Sequence, residues 1–246
     1  MRLNGARCLV TGATSGIGLA VAGELAARGA ALTLSGRDAE RLAELERSLS
    51  ARVVRCDLTS PGAVAELVST AGAVDVVVHS AGAGLYGPVA GVDADQVAEL
   101  VALNVTVPLA LTAALLPGMI ERKRGQVVLL GSIAGRVGRG REAVYAATKG
   151  AVALFADSLR SELRGSGVQV LLVTPGPVGT RFFERRGAAY DRTWPRPLRV
   201  QRVAAAIVSA METDRAELTL PRWLALPVRL RGAAPSLYRA LAERFD

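Results

Sequence analysis

Cysteine, histidine and lysine are scarce in this sequence. Its 246 residues include two cysteines, one histidine and, among 30 basic residues, only two lysines, Lys123 and Lys149. Cys8 and Cys56 lie in apolar runs, where a free thiol behaves as a small buried hydrophobic group. The sequence therefore predicts no disulfide framework, and it predicts no metal site.

A secretory signal is also missing. The N-terminal residues contain no long apolar stretch followed by a cleavage site, so the expected compartment is the cytoplasm. Acidic residues number 22 against the 30 basic ones, which gives a net charge of +8. Because the arginines are dispersed among acids instead of forming one aromatic-rich patch, no nucleic-acid partner is predicted.

One long uncharged run, 101–120, is followed by the basic residues 122–124. Its length fits a membrane-spanning helix. Asn104, Pro108 and Pro117 interrupt the run, so we favour a helix in the protein interior or in a subunit interface over a membrane span.

The remaining pattern alternates short β-branched runs with helical segments, and no internal repeat or Ser/Gly-rich linker divides it. Uninterrupted apolar strands of this kind are buried on both faces of a parallel sheet. We predict one domain, 1–246, with a Rossmann-like doubly wound α/β fold and ligands at the carboxyl ends of the strands. The predicted strands are 7–11, 31–35, 52–56, 74–79, 126–131 and 168–173, and the predicted helices are 17–27, 39–49, 62–70, 94–116 and 143–164.

A glycine pattern, ThrGlyAlaThrSerGlyIleGly at 11–18, joins the first strand to the first helix. Glycines allow the backbone to turn tightly and approach a pyrophosphate at the positive end of the helix. The simpler interpretation is an ordinary strand-to-helix loop. The spacing of Gly12, Gly16 and Gly18 differs from the GlyXxxGlyXxxXxxGly dinucleotide fingerprint.

Tyr145 and Lys149 stand four residues apart in TyrAlaAlaThrLys, and Ser132 lies thirteen residues before the tyrosine. Positions i and i+4 share one face of a helix. A phenol with a pKa near 10 becomes a better acid at neutral pH when a nearby ammonium stabilises its phenolate.

The glycine spacing and the TyrXxxXxxXxxLys signature resemble those of the short-chain dehydrogenase/reductase family, and the similarity extends over about 5–220. The resemblance implies a mostly parallel seven-stranded sheet with helices on both faces. It implies that Tyr145 is the general acid/base, that Lys149 lowers its pKa and holds the nicotinamide ribose, and that Ser132 binds the substrate oxygen. Asn104 would hold a water in a proton relay. Taken singly, these residues also fit core packing, a turn, or a helix cap or kink.

The resemblance assigns cofactor contacts to several loops. Asp57 would meet the adenine ring, although capping the helix that begins near Pro61 is an alternative. The stretch 175–180 would hold the nicotinamide carboxamide and so fix the hydride face. The predicted cofactor-binding residues are Gly12, Thr14, Ser15, Gly16, Ile17, Gly18, Arg37, Asp57, Leu58, Ser80, Ala81, Gly82, Tyr145, Lys149, Pro175, Gly176, Val178 and Thr180.

The cofactor preference should depend on the end of the second strand. Gly36 stands where NAD-preferring members of the family carry an aspartate, and Arg37 follows it. An arginine can pair with the 2′-phosphate of NADP, so we predict NADP(H) over NAD(H). Ser15 does not supply the second basic residue that some NADP-dependent members have there.

Two positions depart from the family pattern. HisSerAlaGly at 79–82 replaces the common AsnAsnAlaGly, and Gly131 stands where a second serine is frequent. His79 ends an apolar run, so we expect a packed strand residue in preference to a catalytic one.

The family resemblance marks about 181–199 as a substrate lid. Phe182, Phe183, Tyr190 and Trp194 make it the densest aromatic cluster in a chain that is 4% aromatic. Aromatic walls suit a lipophilic carbonyl compound, although these side chains could also pack the lid against the domain. Three arginines, at 181, 185 and 186, could alternatively meet a phosphopantetheine or carrier protein.

The last part of the chain, about 221–246, is interpreted as a C-terminal extension. Its apolar stretch 218–231 is punctuated by prolines and arginines. We favour a final strand with subunit contacts, and attachment to anionic lipid is the alternative.

The sequence thus predicts an NADPH-dependent reductase/dehydrogenase for a lipophilic, aromatic or polyketide-like carbonyl/alcohol pair. A homodimer or homotetramer would form through the helices near 94–116 and 143–164. The alternatives are a 3-oxoacyl-thioester reductase and, from a different class, a protein that senses NADP without turnover.

Overall fold

The computed structural model describes residues 1–191 and 193–242, and one sheet runs through them. All six strand pairings are parallel, in the order β3-β2-β1-β4-β5-β6-β7. The strands are β1 (Arg7–Thr11), β2 (Ala31–Gly36), β3 (Arg52–Arg55), β4 (Val76–His79), β5 (Gly125–Leu130), β6 (Val168–Pro175) and β7 (Glu217–Leu220). The prediction of a doubly wound, seven-stranded Rossmann-like fold is confirmed.

Eleven α-helices connect or follow these strands in the described part of the chain. They are α1 (Gly16–Ala26), α2 (Ala39–Leu49), α3 (Ala63–Ala71), α4 (Ala94–Val101), α5 (Val107–Glu121), α6 (Ile133–Val137), α7 (Ala143–Glu162), α8 (Phe182–Arg185), α9 (Val200–Glu212), α10 (Ala225–Ala233) and α11 (Pro235–Ala242). The predicted boundaries of the first three helices and of the six predicted strands are within two residues of those observed.

The strands are buried on both faces because successive side chains point to opposite sides of the sheet. Val10 of β1 packs in the core cluster that includes α1 and α9, through Leu25 and Ile207. Its neighbour Leu9 packs in the opposite cluster, which includes Leu111 of α5 and Val152 of α7. This two-sided burial explains why the runs lack an alternating polar pattern.

The predicted helix 94–116 differs from the observed one in a way that matters for the site. A single π-helical turn, Ala102–Thr106, separates α4 from α5, and the helix continues to Glu121. This combined helix, 94–121, is long and apolar enough by length and composition to cross a membrane, and 39% of its apolar window is buried. Its buried side packs against the sheet in the cluster with β4 and β5.

The interpretation of 218–231 as a final strand is correct only at its beginning. β7 ends at Leu220, and a 3₁₀ turn (Arg222–Leu224) leads into α10 and α11. Pro221 and Pro227 cannot donate backbone hydrogen bonds to a strand ladder, which explains why pairing stops there. The predicted extension includes residues 243–246, which lie outside the described residues.

Candidate active site

The glycine turn at the end of β1 is packed so closely that two of its positions leave no room for a side chain. A Cβ on Gly12, whose φ is +65°, would lie 2.8 Å from the Ala81 backbone, and one on Gly18 would lie 2.5 Å from the Gly12 carbonyl oxygen. Thr11 adds a contact that the sequence did not indicate, because its Oγ1 accepts a hydrogen bond from the Ala81 N–H at 3.2 Å. The turn and the loop after β4 therefore form one unit.

A cleft of about 900 Å³ opens at the carboxyl ends of the strands, where the fold predicts a ligand. Its lining combines the glycine turn, the ends of β2 and β3, the loop after β4, the start of α7 and the lid. All predicted cofactor-binding residues except Gly18 line it, as do Ser132, Tyr145 and Lys149. Gly18 lies behind the turn, where it packs on Gly12 and Ser80.

Tyr145 and Lys149 lie one turn apart on α7, as predicted, and both are buried. The Lys149 Nζ donates to the Leu130 carbonyl at 2.9 Å and lies 6.0 Å from the Tyr145 ring centroid. Ser132 begins α6 by accepting from the Ala134 N–H at 3.2 Å. The end of β5 and the face of α7 thus bring the phenol, the ammonium and the hydroxyl into one wall of the cleft.

Burial is the largest influence on the titration of these groups. It raises the pKa of Tyr145 to about 12, because the phenolate loses solvation, while a hydrogen bond with Ser132 acts in the opposite direction. Burial lowers the pKa of Lys149 to about 8. The expected lowering of the Tyr145 pKa by Lys149 is not seen in this structure, where burial raises that pKa.

Asn104 lies in the π-turn between α4 and α5 and is buried. Its Oδ1 accepts from the Ala83 N–H, and its Nδ2 donates to the Ala83 carbonyl, both at 2.9 Å. The second Nδ2 hydrogen goes to Thr148 Oγ1 at 3.1 Å. The side chain therefore fastens the loop after β4 to α7, and only the second lone pair of Oδ1 is left for a relay water.

The end of β2 carries the residues predicted to choose between the two cofactors. Gly36 faces the Thr14 side chain, which leaves no room for an acidic side chain there. The Arg37 guanidinium is exposed and lies 3.7 Å from the Asp57 carboxylate. Arg55, which the sequence did not single out, donates to the Arg37 carbonyl at 3.3 Å and adds a second positive charge at this edge.

Asp57 does not cap the following helix, which was the alternative considered for it. Its Oδ1 accepts from the Thr59 N–H at 3.0 Å and from the Thr59 Oγ1 at 2.7 Å. These hydrogen bonds, helped by Arg37, hold the pKa of Asp57 below its ordinary value. The carboxylate therefore closes a turn at the rim of the cleft, where it remains partly exposed.

The loop after β6 closes the other end of the cleft. Gly176 donates to the Leu220 carbonyl at 2.6 Å, and Leu198 and Val178 form an isolated parallel bridge. The Thr180 Oγ1 accepts from the Phe182 N–H at 3.3 Å, so it helps to start α8. Its methyl group also faces Gly16, which places this loop against the glycine turn.

His79 is fully buried and points away from the cleft lining, as expected for a packed strand residue. Its Nε2 shares a hydrogen bond with Thr112 Oγ1 on α5 at 2.8 Å, and its Nδ1 has no partner among residues 1–191 and 193–242. Burial lowers its pKa to about 3, so the imidazole is neutral at ordinary pH.

The lid places an aromatic row over Tyr145. The Phe182 ring lies 5.5 Å from the Tyr145 ring, Phe183 lies 5.7 Å from Phe182, and Tyr190 lies 4.9 Å from Phe183. These three lid residues line the cleft. Trp194 does not line it, contrary to expectation, because it stacks on Trp223 at 4.7 Å outside the cleft. The predicted lid also includes residue 192, which lies outside the described residues.

A buried ion pair at the lid was not predicted. Arg186 of the lid donates to the Glu142 carboxylate, which precedes α7, and both side chains are only 6% exposed. The Arg186 guanidinium also packs over the rings of Tyr86 and Phe183, at 4.6 and 4.7 Å. Glu142 raises and Arg186 lowers the pKa of Tyr145, so the two charges balance each other beside the phenol.

The neighbouring lid arginine points to the other side of the cleft. Arg185 donates from Nη1 to Ser15 Oγ in the glycine turn at 3.1 Å. The end of α8 therefore lies between the glycine turn and the start of α7, with Arg185 directed toward the first and Arg186 toward the second. Within the described residues, no group of three or more His, Cys, Asp or Glu side chains is placed to hold a metal ion.

Comparisons with known proteins agree with this geometry. The family model of the short chain dehydrogenases matches residues 6–191. Dehydrogenase/reductase SDR family member 7B of Rattus norvegicus is 33% identical over 266 residues, which cover 98% of this chain and 82% of the relative.

Two solved structures are similar over nearly their whole length. A short-chain dehydrogenase from Sphingobium yanoikuyae in complex with NADPH is 28% identical, with a TM-score of 0.83, and covers 94% of this chain and 95% of its own. A short chain dehydrogenase/reductase from Burkholderia phymatum in complex with NAD is 26% identical, with a TM-score of 0.86 and 96% of each chain covered. The chain therefore belongs to the short-chain dehydrogenase/reductase family and is an NAD(P)-dependent oxidoreductase.

Proposed function

We propose that the protein reduces a lipophilic, ring-containing carbonyl compound to its alcohol, or catalyses the reverse reaction, with NADP(H) as the preferred cofactor. One observation carries the proposal. A single cleft brings together a glycine turn with no room for a side chain at Gly12 and Gly18, the buried Tyr145 and Lys149, and the Ser132 hydroxyl.

The residues present fit a nicotinamide dinucleotide. The turn at 12–18 leaves its backbone uncovered at the start of α1, where a pyrophosphate would be held, and Lys149 would contact the nicotinamide ribose. When bound, the cofactor supplies or accepts the hydride. Tyr145 would donate a proton to the carbonyl oxygen during reduction, and Ser132 would hold that oxygen by a hydrogen bond.

The protonation states favour reduction near neutral pH. With a pKa raised to about 12, Tyr145 is protonated at neutral pH and so carries the proton that reduction requires. With a pKa lowered to about 8, Lys149 still carries its proton at neutral pH and supplies a positive charge. Alcohol oxidation needs the deprotonated phenol, and the hydrogen bond with Ser132 stabilises that form.

The lid supports a lipophilic substrate. Phe182, Phe183 and Tyr190 form one aromatic wall of the cleft, and Leu85 and Leu100 lie in the same lining. Rings of this kind bind apolar and ring-containing compounds through burial and offset stacking. A phosphopantetheine group would find Arg186 already paired with Glu142.

Arg37 supports NADP(H), since its exposed guanidinium at the end of β2 is able to pair with a 2′-phosphate and Arg55 adds charge beside it. Replacing Arg37 by aspartate should weaken NADPH binding at least about tenfold, because a charge-assisted hydrogen bond contributes roughly 1.5–3 kcal/mol. The same change should weaken NADH binding much less. Fluorescence titration of both cofactors measures this. Arg47→Asp, on the exposed face of α2, is the matched control. An Arg37→Asp variant that binds NADPH and NADH as tightly as the unchanged protein does would contradict the preference.

The function is tested by cofactor oxidation against aromatic ketones, diketones, quinones, steroids and acyl thioesters. Turnover should occur with the ring-containing ketones, and Tyr145→Phe should lower kcat by roughly 10²–10⁴ because it removes the proton donor. NADPH binding should persist in that variant. Turnover of acyl thioesters alone would favour a 3-oxoacyl-thioester reductase, whereas tight NADPH binding with no turnover would favour a sensor.

We also propose that the protein is a homodimer or homotetramer that forms through α5 and α7. Ile120 and Leu154 expose 42% and 69% of their surface on these helices. Burial of these two side chains between subunits would remove them from water. Light scattering at several protein concentrations should give the mass of two or four chains.

A further inference from the structure

The helices α10 and α11 form a pair at the edge of the molecule, beyond the edge strand β7. Neither helix contains a fully buried residue within its described range. α10 contacts the short helix α6 and the 3₁₀ turn, while α11 packs on α10. The pair therefore contributes little to the core, which leaves its outer side available to a partner.

Large apolar side chains are concentrated on this pair and on the adjoining lid. Of the nine exposed large apolar residues in the described part of the chain, five lie here, with exposures from 37% to 67%. They are Trp194, Trp223, Leu226, Leu237 and Leu241. Together with Arg222, Arg229 and Arg239 we call them the tryptophan–arginine surface. Solvent exposure of so many clustered apolar groups marks an interaction site.

The charged residues from the end of β7 to the end of α11 are all basic, and Glu243 and Asp246 come after them in the sequence. Residues 218–242 contain four arginines and no aspartate or glutamate. Arg231 donates to the Arg136 carbonyl at 2.5 Å and so attaches α10 to the body of the protein. The other three arginines are exposed. Basic residues mixed with exposed Trp and Leu on a helical segment are typical of proteins that lie on an anionic membrane.

The two tryptophans of this surface contact each other. Trp194 of the lid stacks on Trp223 with an interplanar angle of 20°, and 67% of Trp194 remains exposed. Indole rings have an apolar body and a polar N–H, and for this reason they favour the headgroup region of bilayers. The stack also joins the surface to the lid, whose Tyr190 lines the cleft.

We propose that the tryptophan–arginine surface binds peripherally to an anionic membrane. A second copy of this chain is a poorer occupant, because a two-fold contact would bring the same arginines of both copies face to face. A membrane with anionic headgroups supplies the missing negative charge, accepts the tryptophans at the level of the headgroups and accepts the leucines at the boundary of the acyl chains. This proposal does not depend on the substrate of the enzyme.

The chain offers a direct readout, because Trp194 and Trp223 are its only tryptophans. All tryptophan fluorescence therefore comes from the proposed contact. With vesicles of phosphatidylcholine mixed with phosphatidylglycerol, the tryptophan emission should shift to shorter wavelength and the protein should sediment together with the vesicles. Added salt should reverse both effects. Vesicles of phosphatidylcholine alone should do neither.

A charge-matched pair of variants tests the location. The triple variant Arg222→Glu/Arg229→Glu/Arg239→Glu should lose at least tenfold in partition to anionic vesicles. The control Arg47→Glu/Arg164→Glu/Arg202→Glu changes three exposed arginines elsewhere and should keep most of the partition. Circular dichroism and thermal unfolding verify that both variants fold, and Arg231 is left unchanged to preserve the attachment of α10.

Three results would overturn the proposal. One is an unchanged emission spectrum with anionic vesicles, and another is equal loss of partition in the two triple variants. The third is a wild-type mass that falls when Trp223→Ser and Leu226→Ser are introduced, since this would assign the surface to contact between copies of the chain.

Discussion

The two walls of the cleft are constructed differently. The glycine-turn wall is made from backbone, and its shape depends on the absence of side chains at Gly12 and Gly18. The lid wall is made from side chains, namely an aromatic row and the buried pair of Arg186 and Glu142. A backbone wall suits a ligand part that is the same in every reaction, whereas a side-chain wall can be changed to suit a particular substrate.

The largest effect is expected on the glycine-turn wall. Gly12→Ala should weaken cofactor binding at least about tenfold, because a left-handed backbone costs an alanine roughly 1–2 kcal/mol and the new Cβ would meet Ala81 at 2.8 Å. Titration with NADPH measures the loss, and thermal unfolding should show a lower Tm.

Gly23→Ala is the matched control for this change. Gly23 lies in α1, where nothing stands within 4 Å of an added Cβ, so the variant should bind NADPH normally and gain up to about 1 kcal/mol in stability from helix propensity. If both variants bind NADPH alike, the backbone does not shape this wall as described.

A smaller effect is expected from the ion pair of the lid wall. Arg186→Met would leave the buried Glu142 with Arg139, 3.9 Å away, as its remaining ionic partner. The loss should therefore stay below the roughly 3–5 kcal/mol of a buried charge that has no partner at all. Chemical denaturation should show reduced stability. A lid that opens to hydrate Glu142 would lessen this cost, so cleavage by chymotrypsin at Phe182 and Phe183 is measured in parallel.

Two further variants isolate the pair. The double variant Arg186→Met/Glu142→Gln should regain much of the lost stability, because it removes both charges together. Arg181→Met removes an exposed arginine of the same lid and should change stability by less than about 0.5 kcal/mol. Equal losses in the single and double variants would show that the lid depends on packing and not on the pair.

The smallest effect is expected where the two walls touch. Arg185→Gln removes the hydrogen bond to Ser15, which is partly exposed and therefore contributes about 0.5–1.5 kcal/mol at most. NADPH affinity should fall by no more than about tenfold, and the aromatic row should keep its substrate preference. A change of substrate preference in this variant would mean that the two walls are not independent.

The fold and the glycine-turn wall could be predicted because their signals are local. Strand burial appears as consecutive β-branched residues, and the turn appears as glycines at fixed spacing between a strand and a helix. The joint placement of Ser132, Tyr145 and Lys149 followed from spacing and family resemblance, and the cleft contains all three.

The lid wall could be predicted only in composition. The aromatic content of 182–190 was visible, but the partner of Arg186 lies 44 residues earlier in the chain, next to a turn with no distinctive pattern. Nothing in the sequence distinguishes Arg186 from the other arginines, because charge pairing across such a distance depends on the folded path. The prediction that Trp194 faces the substrate was wrong for the same reason, because its stacking partner Trp223 lies in the distant 3₁₀ turn before α10.

The scarcity of lysine has a practical consequence for attaching the protein to a surface. Lys149 is buried, whereas Lys123 is exposed and lies just before β5, at the amino ends of the strands. The cleft opens at the carboxyl ends. Coupling through a lysine side chain would therefore attach the molecule at Lys123, on the side opposite the cleft, and leave the cleft facing the solution.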